Sequence, residues 1–253
     1  VTGTGTNGCL DTASISVQVD QLPNVVASSA FNSICLGDSV LISASGALNY
    51  QWGNGVQISN QYVSPTTIGN NSYIVTGSDV NSCSNSDTVN IFVNSLPIAQ
   101  VSASDTNICI NDTITLLSSA ASNYQWNNGS TSQSQTLILG NAGTTIFTVT
   151  IFDNNSCSAT DSVIVNVNNN PTISVSANNN NICIGESVTL SATGAINYLW
   201  DNGVTSSTQV ITPSTSAILT YSVVGTDINS CSANAQVNIT VNPLPNTGPI
   251  FHN

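Results

Sequence analysis

Apolar and polar residues alternate with period two along short stretches of this chain. Ser39-Val40-Leu41-Ile42-Ser43-Ala44, Ser187-Val188-Thr189-Leu190-Ser191-Ala192, Tyr73-Ile74-Val75 and Val89-Asn90-Ile91-Phe92-Val93 all read as strands with one face turned to a core. Turn residues separate them. Gly37, Asn111 and Gly185 tolerate positive φ and predict a tight turn before the strand that follows. Asn54-Gly55, Asn128-Gly129 and Asn202-Gly203 predict hairpins. The pattern is all strand, with about six or seven short strands per unit, which suits a two-layer antiparallel sandwich.

The strands recur with a fixed period. Cys35, Cys109 and Cys183 lie 74 residues apart, Cys83, Cys157 and Cys231 keep the same interval, and Cys9 fits the second series. Tyr50/Tyr124/Tyr198, Trp52/Trp126/Trp200 and Pro97/Pro171/Pro245 hold the register without insertions. One repeat is therefore the unit of folding. The expected units are 24–97, 98–171 and 172–245, each closed by Leu-Pro or Asn-Pro. Residues 1–23 match the last part of a preceding unit, which implies a longer polypeptide or strands that complete a neighbouring molecule. Residues 246–253 are read as the start of another unit or a tail.

A unit of this size has a thin core, so cross-links matter. Two pairings fit the spacing. The first joins Cys35 to Cys83, Cys109 to Cys157 and Cys183 to Cys231, each across 48 residues. Its rival joins Cys9 to Cys35, Cys83 to Cys109 and Cys157 to Cys183, each across 26. The first is preferred because each unit then closes its own core, at about 4 kcal/mol per bridge in the chain-entropy account.

Composition narrows the function. The 253 residues include no Lys, Arg or Met and a single His, against twelve Asp and Glu, for a net charge of -12. Nucleic-acid binding and docking on anionic lipid need cations that are absent. Lys/Arg to carboxylate salt bridges are impossible, and trypsin-like proteases have nothing to cut. No apolar run approaches the length of a membrane span, about 18 residues. Regular cysteines in such a chain point to an oxidising, extracellular setting.

The strings Ile182-Cys183-Ile184-Gly185-Glu186-Ser187-Val188-Thr189-Leu190, Tyr198-Leu199-Trp200-Asp201-Asn202-Gly203 and Thr226-Asp227-Ile228-Asn229-Ser230-Cys231-Ser232 resemble immunoglobulin-like or PKD-like repeats. Such repeats are strung together in giant secreted surface proteins of Bacteroidota, including gliding-motility adhesins of the SprB type. The resemblance covers all three units. It implies immunoglobulin-like β-sandwiches, secretion to the cell surface, and a role in filaments, adhesion or spacing.

Candidate sites follow from single columns. Trp52, Trp126 and Trp200, each two residues after a Tyr, either fill the core beside a disulfide or form a stacking platform for sugars; the core is preferred. Asp79, Asp153 and Asp227 open turns with oxygen ligands of the kind Ca2+ takes, but each supplies one carboxylate, so turn closure is preferred to metal binding. Asp followed by Ser or Thr and an aliphatic residue marks Thr12, Ser39, Thr88, Thr113 and Ser162 as O-glycan acceptors by resemblance to the Bacteroidota pattern. Catalysis has no foothold, since His252 stands alone outside the repeats and the cysteines are expected to be oxidised. No cofactor or metal is expected. The reading is a structural or adhesive segment of an extracellular filament or giant adhesin, partnered by neighbouring repeats, copies of itself or surface glycans. A carbohydrate-binding array and a filament subunit that donates its N-terminal strands are the alternatives.

Overall fold

A computed structural model describes residues 1–246 and 248; His252 and most of the expected tail lie outside the described residues. The chain is all-β, a tandem series of small immunoglobulin-like sandwiches. A short hairpin comes first, β1 (Thr2–Thr4) and β2 (Leu10–Thr12). The first repeat holds β3 (Val26–Ser29), β4 (Ser33–Cys35), β5 (Val40–Ser45), β6 (Asn49–Trp52), β7 (Asn60–Val63), β8 (Gly69–Ser78) and β9 (Ser84–Asn94). The second holds β10 (Val101–Ala103), β11 (Asn107–Cys109), β12 (Thr113–Ser118), β13 (Asn123–Trp126), β14 (Ser134–Ile138), β15 (Gly143–Phe152) and β16 (Ser158–Asn168). The third holds β17 (Ser174–Ala177), β18 (Asn181–Cys183), β19 (Val188–Thr193), β20 (Asn197–Trp200), β21 (Thr208–Ile211), β22 (Ile218–Thr226) and β23 (Ser232–Asn242).

Every repeat pairs its strands in one way. In the first, β3-β5-β7 form one sheet and β4-β9-β8-β6 the other, and the same orders recur in the second and third. All pairings are antiparallel except the short first strand of the larger sheet, which runs parallel to the last: Cys35 lies beside Asn94, Cys109 beside Asn168 and Cys183 beside Asn242. The alternation in sequence becomes alternation in burial. On β5, Val40, Ile42 and Ala44 turn inward, and on β9, Val89, Ile91 and Val93 do the same. Three separate apolar cores result, and each takes residues from both sheets of its own repeat. Burial of each Ile, Val or Leu contributes about 1.5–3 kcal/mol.

The predicted turns are only partly hairpins. Gly37, Asn111 and Gly185 take positive φ of 96°, 69° and 84° before β5, β12 and β19. After β6, however, Asn54-Gly55 does not join two paired strands. The Trp52 amide donates to Val56 O, and the indole Nε1 donates to Ile58 O at 2.9 Å, so the turn folds back on its own strand end. The chain then crosses to the opposite sheet as β7.

The chain forms two compact units, one of residues 1–97 with 152–158 and the other of residues 98–151 with the described residues from 159 onward. The tip of the β15–β16 hairpin therefore belongs with the first repeat.

Candidate functional site

The site is the junction that two disulfides make between successive repeats. Its first half lies where the parallel strand ends. Cys35, Cys109 and Cys183 each occupy that end, and each amide donates to a carboxylate three residues on: Asp38 Oδ2 at 3.2 Å, Asp112 Oδ2 at 2.9 Å and Glu186 Oε2 at 2.8 Å. The following amides, of Leu36, Ile110 and Ile184, donate to Asn94 O, Asn168 O and Asn242 O. The Nδ2 groups of these three Asn return bonds to Ile34 O, Ile108 O and Ile182 O. All three cysteines are thus held in one backbone frame.

The second half is the tip of the long hairpin. Asp79, Asp153 and Asp227 open it, and Oδ1 of each accepts the amides two and four residues later, at 2.8–2.9 Å. The later amide in each pair belongs to Cys83, Cys157 or Cys231. Ser82, Ser156 and Ser230 take φ of 65° to close the turn. These carboxylates work as backbone braces, and among the described residues no group of three His, Cys, Asp or Glu is placed to hold a metal.

The pairing differs from both sequence expectations. Cys35 bonds Cys157 and Cys109 bonds Cys231, each with Cα atoms 5.5 Å apart and 122 residues apart in sequence. That separation is 48 residues plus one 74-residue period. Cys9, Cys83 and Cys183 are free thiols. Pairing inside a repeat fails on distance. Cys35 sits beside Asn94 at one end of β9 while Cys83 precedes Ser84 at the other, and the 11 residues of β9 span about 36 Å. A disulfide tolerates Cα atoms no more than about 7 Å apart.

The staggered pairing follows from where the chain leaves and enters a repeat. Cys109 lies beside Asn168, close to the exit at Pro171. In the third repeat a Cβ at Gly225, near the hairpin tip, would meet Ile173 and Ala195, so the tip lies at that repeat's entrance. The exit of the second repeat and the entrance of the third adjoin. Asp227 and Asn229 accordingly line a cleft with Ala142, Gly143, Asn168 and Pro171. In the first unit Asn155 and Ser156 line another with Phe31, Asp38 and Asn94. Pairing accompanies burial of the tip sulfur: Cys157 is 1% exposed and Cys231 0%, whereas unpaired Cys83 is half-buried.

The remaining candidates find other places. Trp52, Trp126 and Trp200 are at most 2% exposed and their indoles donate to Ile58 O, Ser132 O and Ser206 O, so no stacking platform for sugars is formed. They lie in the cores, but without the expected disulfide beside them, because no cysteine joins the apolar clusters. Tyr50 and Tyr198 bond both amide and carbonyl of Ala47 and Ala195, and Tyr124 accepts from the Ala121 amide. Thr12, Ser39, Thr88, Thr113 and Ser162 are exposed. Among the described residues no helix is long and apolar enough to cross a membrane.

Neither a protein-family model nor a curated protein matches the sequence. Solved structures to which the chain is similar include fibronectin(III)-like modules of Clostridium thermocellum CbhA, at 13% identity over 61% of this chain and 100% of that one, TM-score 0.34. A three-domain immunoglobulin segment of titin gives 14% identity, 89% and 100% coverage and TM-score 0.39. A Ca2+-stabilised adhesin of an Antarctic bacterium that binds ice gives 12%, 96%, 80% and 0.39. The fold assignment stands on the strand pairing itself.

Proposed function

We propose that this chain is a structural segment of an extracellular filament or surface adhesin, in which the inter-repeat disulfides limit how far the array extends under tension. The observation that carries the reading is the 122-residue stagger of Cys35–Cys157 and Cys109–Cys231. A bridge inside one repeat would brace that repeat alone, whereas each staggered bridge ties one repeat to the next, and together the two leave only residues 109–157 in the shortest path between Cys35 and Cys231. Disulfides persist in oxidising compartments, which supports a location outside the cytoplasm. The absence of Lys and Arg fits the same setting, since it leaves no site for trypsin-like proteases. The five exposed Ser and Thr hydroxyls that follow Asp are accessible to glycan transfer, and the intact mass of the native chain tests for it.

Stretching between the two ends tests the central reading. With both bridges closed, the shortest covalent path runs from residue 1 to Cys35, crosses to Cys157, returns to Cys109 and crosses to Cys231. Its full extension is roughly 370 Å, against roughly 870 Å for the reduced chain. Single-molecule force spectroscopy is expected to give these two limits before and after dithiothreitol. Equal limits in the two conditions would contradict the proposal.

A second reading is favoured by one feature of the N-terminus. The β1–β2 register, Thr2 against Thr12, falls one period before Thr76 against Ser86 of the β8–β9 hairpin. Ile15, Val17 and Val19 then align with buried Val89, Ile91 and Val93, yet are 89%, 79% and 88% exposed. In this reading residues 1–23 supply a last strand to another sandwich, by strand addition. Removing them should abolish self-association, and association that survives their removal would count against it.

A further inference from the structure

The Asn-Gly turns carry a chemical hazard that their own geometry imposes. Asn-Gly is the dipeptide most prone to close on itself as a cyclic imide, because Gly puts no side chain in the path of its own nitrogen. The Gly is not freely exchanged, since Gly55, Gly129 and Gly203 take φ of 89°, 87° and 84°. Asn54, Asn128 and Asn202 are exposed to water. Each opens the loop whose carbonyl, of Ile58, Ser132 or Ser206, accepts from the buried Trp indole.

In every repeat a Gln stands against this Asn. Gln61 on β7, Gln135 on β14 and Gln209 on β21 accept from the Asn Nδ2 through Oε1, at 2.8, 2.8 and 2.6 Å. The Asn Oδ1 accepts from the amide two residues on, at 3.2–3.3 Å, and the Gly amide donates to the Trp carbonyl at 2.8–3.0 Å. In the second and third repeats the Gln Nε2 is buried without a hydrogen-bond partner, so the one side-chain bond that accounts for the Gln is the bond to Asn. A fourth Asn-Gly, Asn7-Gly8, has no Gln bonded to it; its Oδ1 accepts from the Cys9 amide at 3.3 Å.

We infer that Gln61, Gln135 and Gln209 are positioning residues that hold these three turns against spontaneous conversion of Asn to aspartate and isoaspartate. In that conversion the Gly nitrogen gives its proton to hydroxide and attacks the Asn Cγ. The N–Cγ bond forms, the Cγ–Nδ2 bond breaks, and ammonia leaves with a proton taken from water. A second water then opens the imide at either carbonyl. Attack requires the side-chain amide to swing over the Gly nitrogen, which the Gln bond opposes, and the Gly proton to come off, which its bond to the Trp carbonyl opposes. The product adds a carboxylate to a chain with no Lys or Arg to pair it, and as isoaspartate it puts an extra methylene into the backbone beside the Trp.

The test ages the full chain in mildly alkaline buffer and reads aspartate and isoaspartate at each Asn-Gly by peptide mass mapping. Asn7 is expected to convert well before the other three. Q61M keeps the length of the side chain and removes the acceptor; it should speed conversion of Asn54 about tenfold, as the loss of one hydrogen bond implies. Asn128 and Asn202 in the same molecules should keep the parent rate. Q61E retains an acceptor oxygen and should keep Asn54 slow. The first repeat is chosen because Gln61 is half-buried where Gln209 is buried. Conversion of Asn54 at the parent rate in Q61M, equal acceleration by Q61M and Q61E, or parent turns that convert as fast as Asn7 would each overturn the inference. Should Q61M unfold the first repeat by circular dichroism, the comparison of Asn7 with the other three sites in the parent chain decides.

Discussion

Ser118 occupies in the second repeat the place that Ala44 and Ala192 hold in the others. It is 2% exposed, and its Oγ has no hydrogen-bond partner. A buried hydroxyl left unpaired costs about 1–3 kcal/mol. S118A is therefore expected to raise stability by about 1 kcal/mol in denaturant unfolding; a loss of stability would show that the hydroxyl is satisfied in solution. A second substitution pattern shows the repeats balancing volume. A Cβ on Gly77 would lie 2.6–2.7 Å from Ala47 and Val25, and one on Gly225 would meet Ile173 and Ala195 as closely. In the second repeat the pair is exchanged: Ile151 is fully buried where the others have Gly, and Ala99 stands in place of Val25 and Ile173. The large residue comes from one strand or the other, and the space is filled once. These two columns break the 74-residue repetition, and only their contact in the fold makes the coupling legible.

At the scale of elements, strands were readable because period-two alternation matches a sheet with one buried face. Burial on β5 and β9 follows it residue by residue. The Asn-Gly turns misled for a physical reason: the dipeptide specifies local curvature, while the Trp52 indole bond to Ile58 O decides that the chain leaves its sheet. The two sheets are also tied at an edge. Asp87 on β9 accepts from the Ala27 amide of β3 at 2.7 Å and from the Thr88 amide at 2.8 Å, and these bonds hold its carboxyl below the ordinary carboxylate range. Asp161 accepts from Val101 in the second repeat, and Ala235 stands there in the third. With a folded value below the unfolded one, the carboxylate contributes stability above about pH 4, and that contribution is lost as pH falls through the folded value. The stability difference between the parent chain and D87N should be constant above about pH 5 and shrink below about pH 4. A difference that stays flat to about pH 2 would contradict this.

On the scale of the whole molecule, the 74-residue lattice made the repeats plain but left the cross-links degenerate. Separations of 48, 26 and 122 residues all preserve the period. The choice depends on which ends of a sandwich the two cysteine columns occupy, and strand order, not spacing, decides that. The consequence is a covalent brace with overlapping loops, 35–157 and 109–231. The first loop closed is worth about 5 kcal/mol in the chain-entropy account, and the second adds less because it shares residues 109–157 with the first. Charge adds a separate property: at -12, with no Lys or Arg to pair the carboxylates, copies repel one another at low ionic strength, and salt screens that repulsion.

Disulfide mapping of the unreduced chain tests the account most directly. Cleavage before Asp residues places each cysteine on its own peptide. The structure predicts peptide 20–37 linked to 153–160, and 105–111 linked to the peptide that begins at Asp227. Peptide 20–37 linked to 79–86 would place the bridge inside one repeat and contradict the staggered junction on which the proposed function rests.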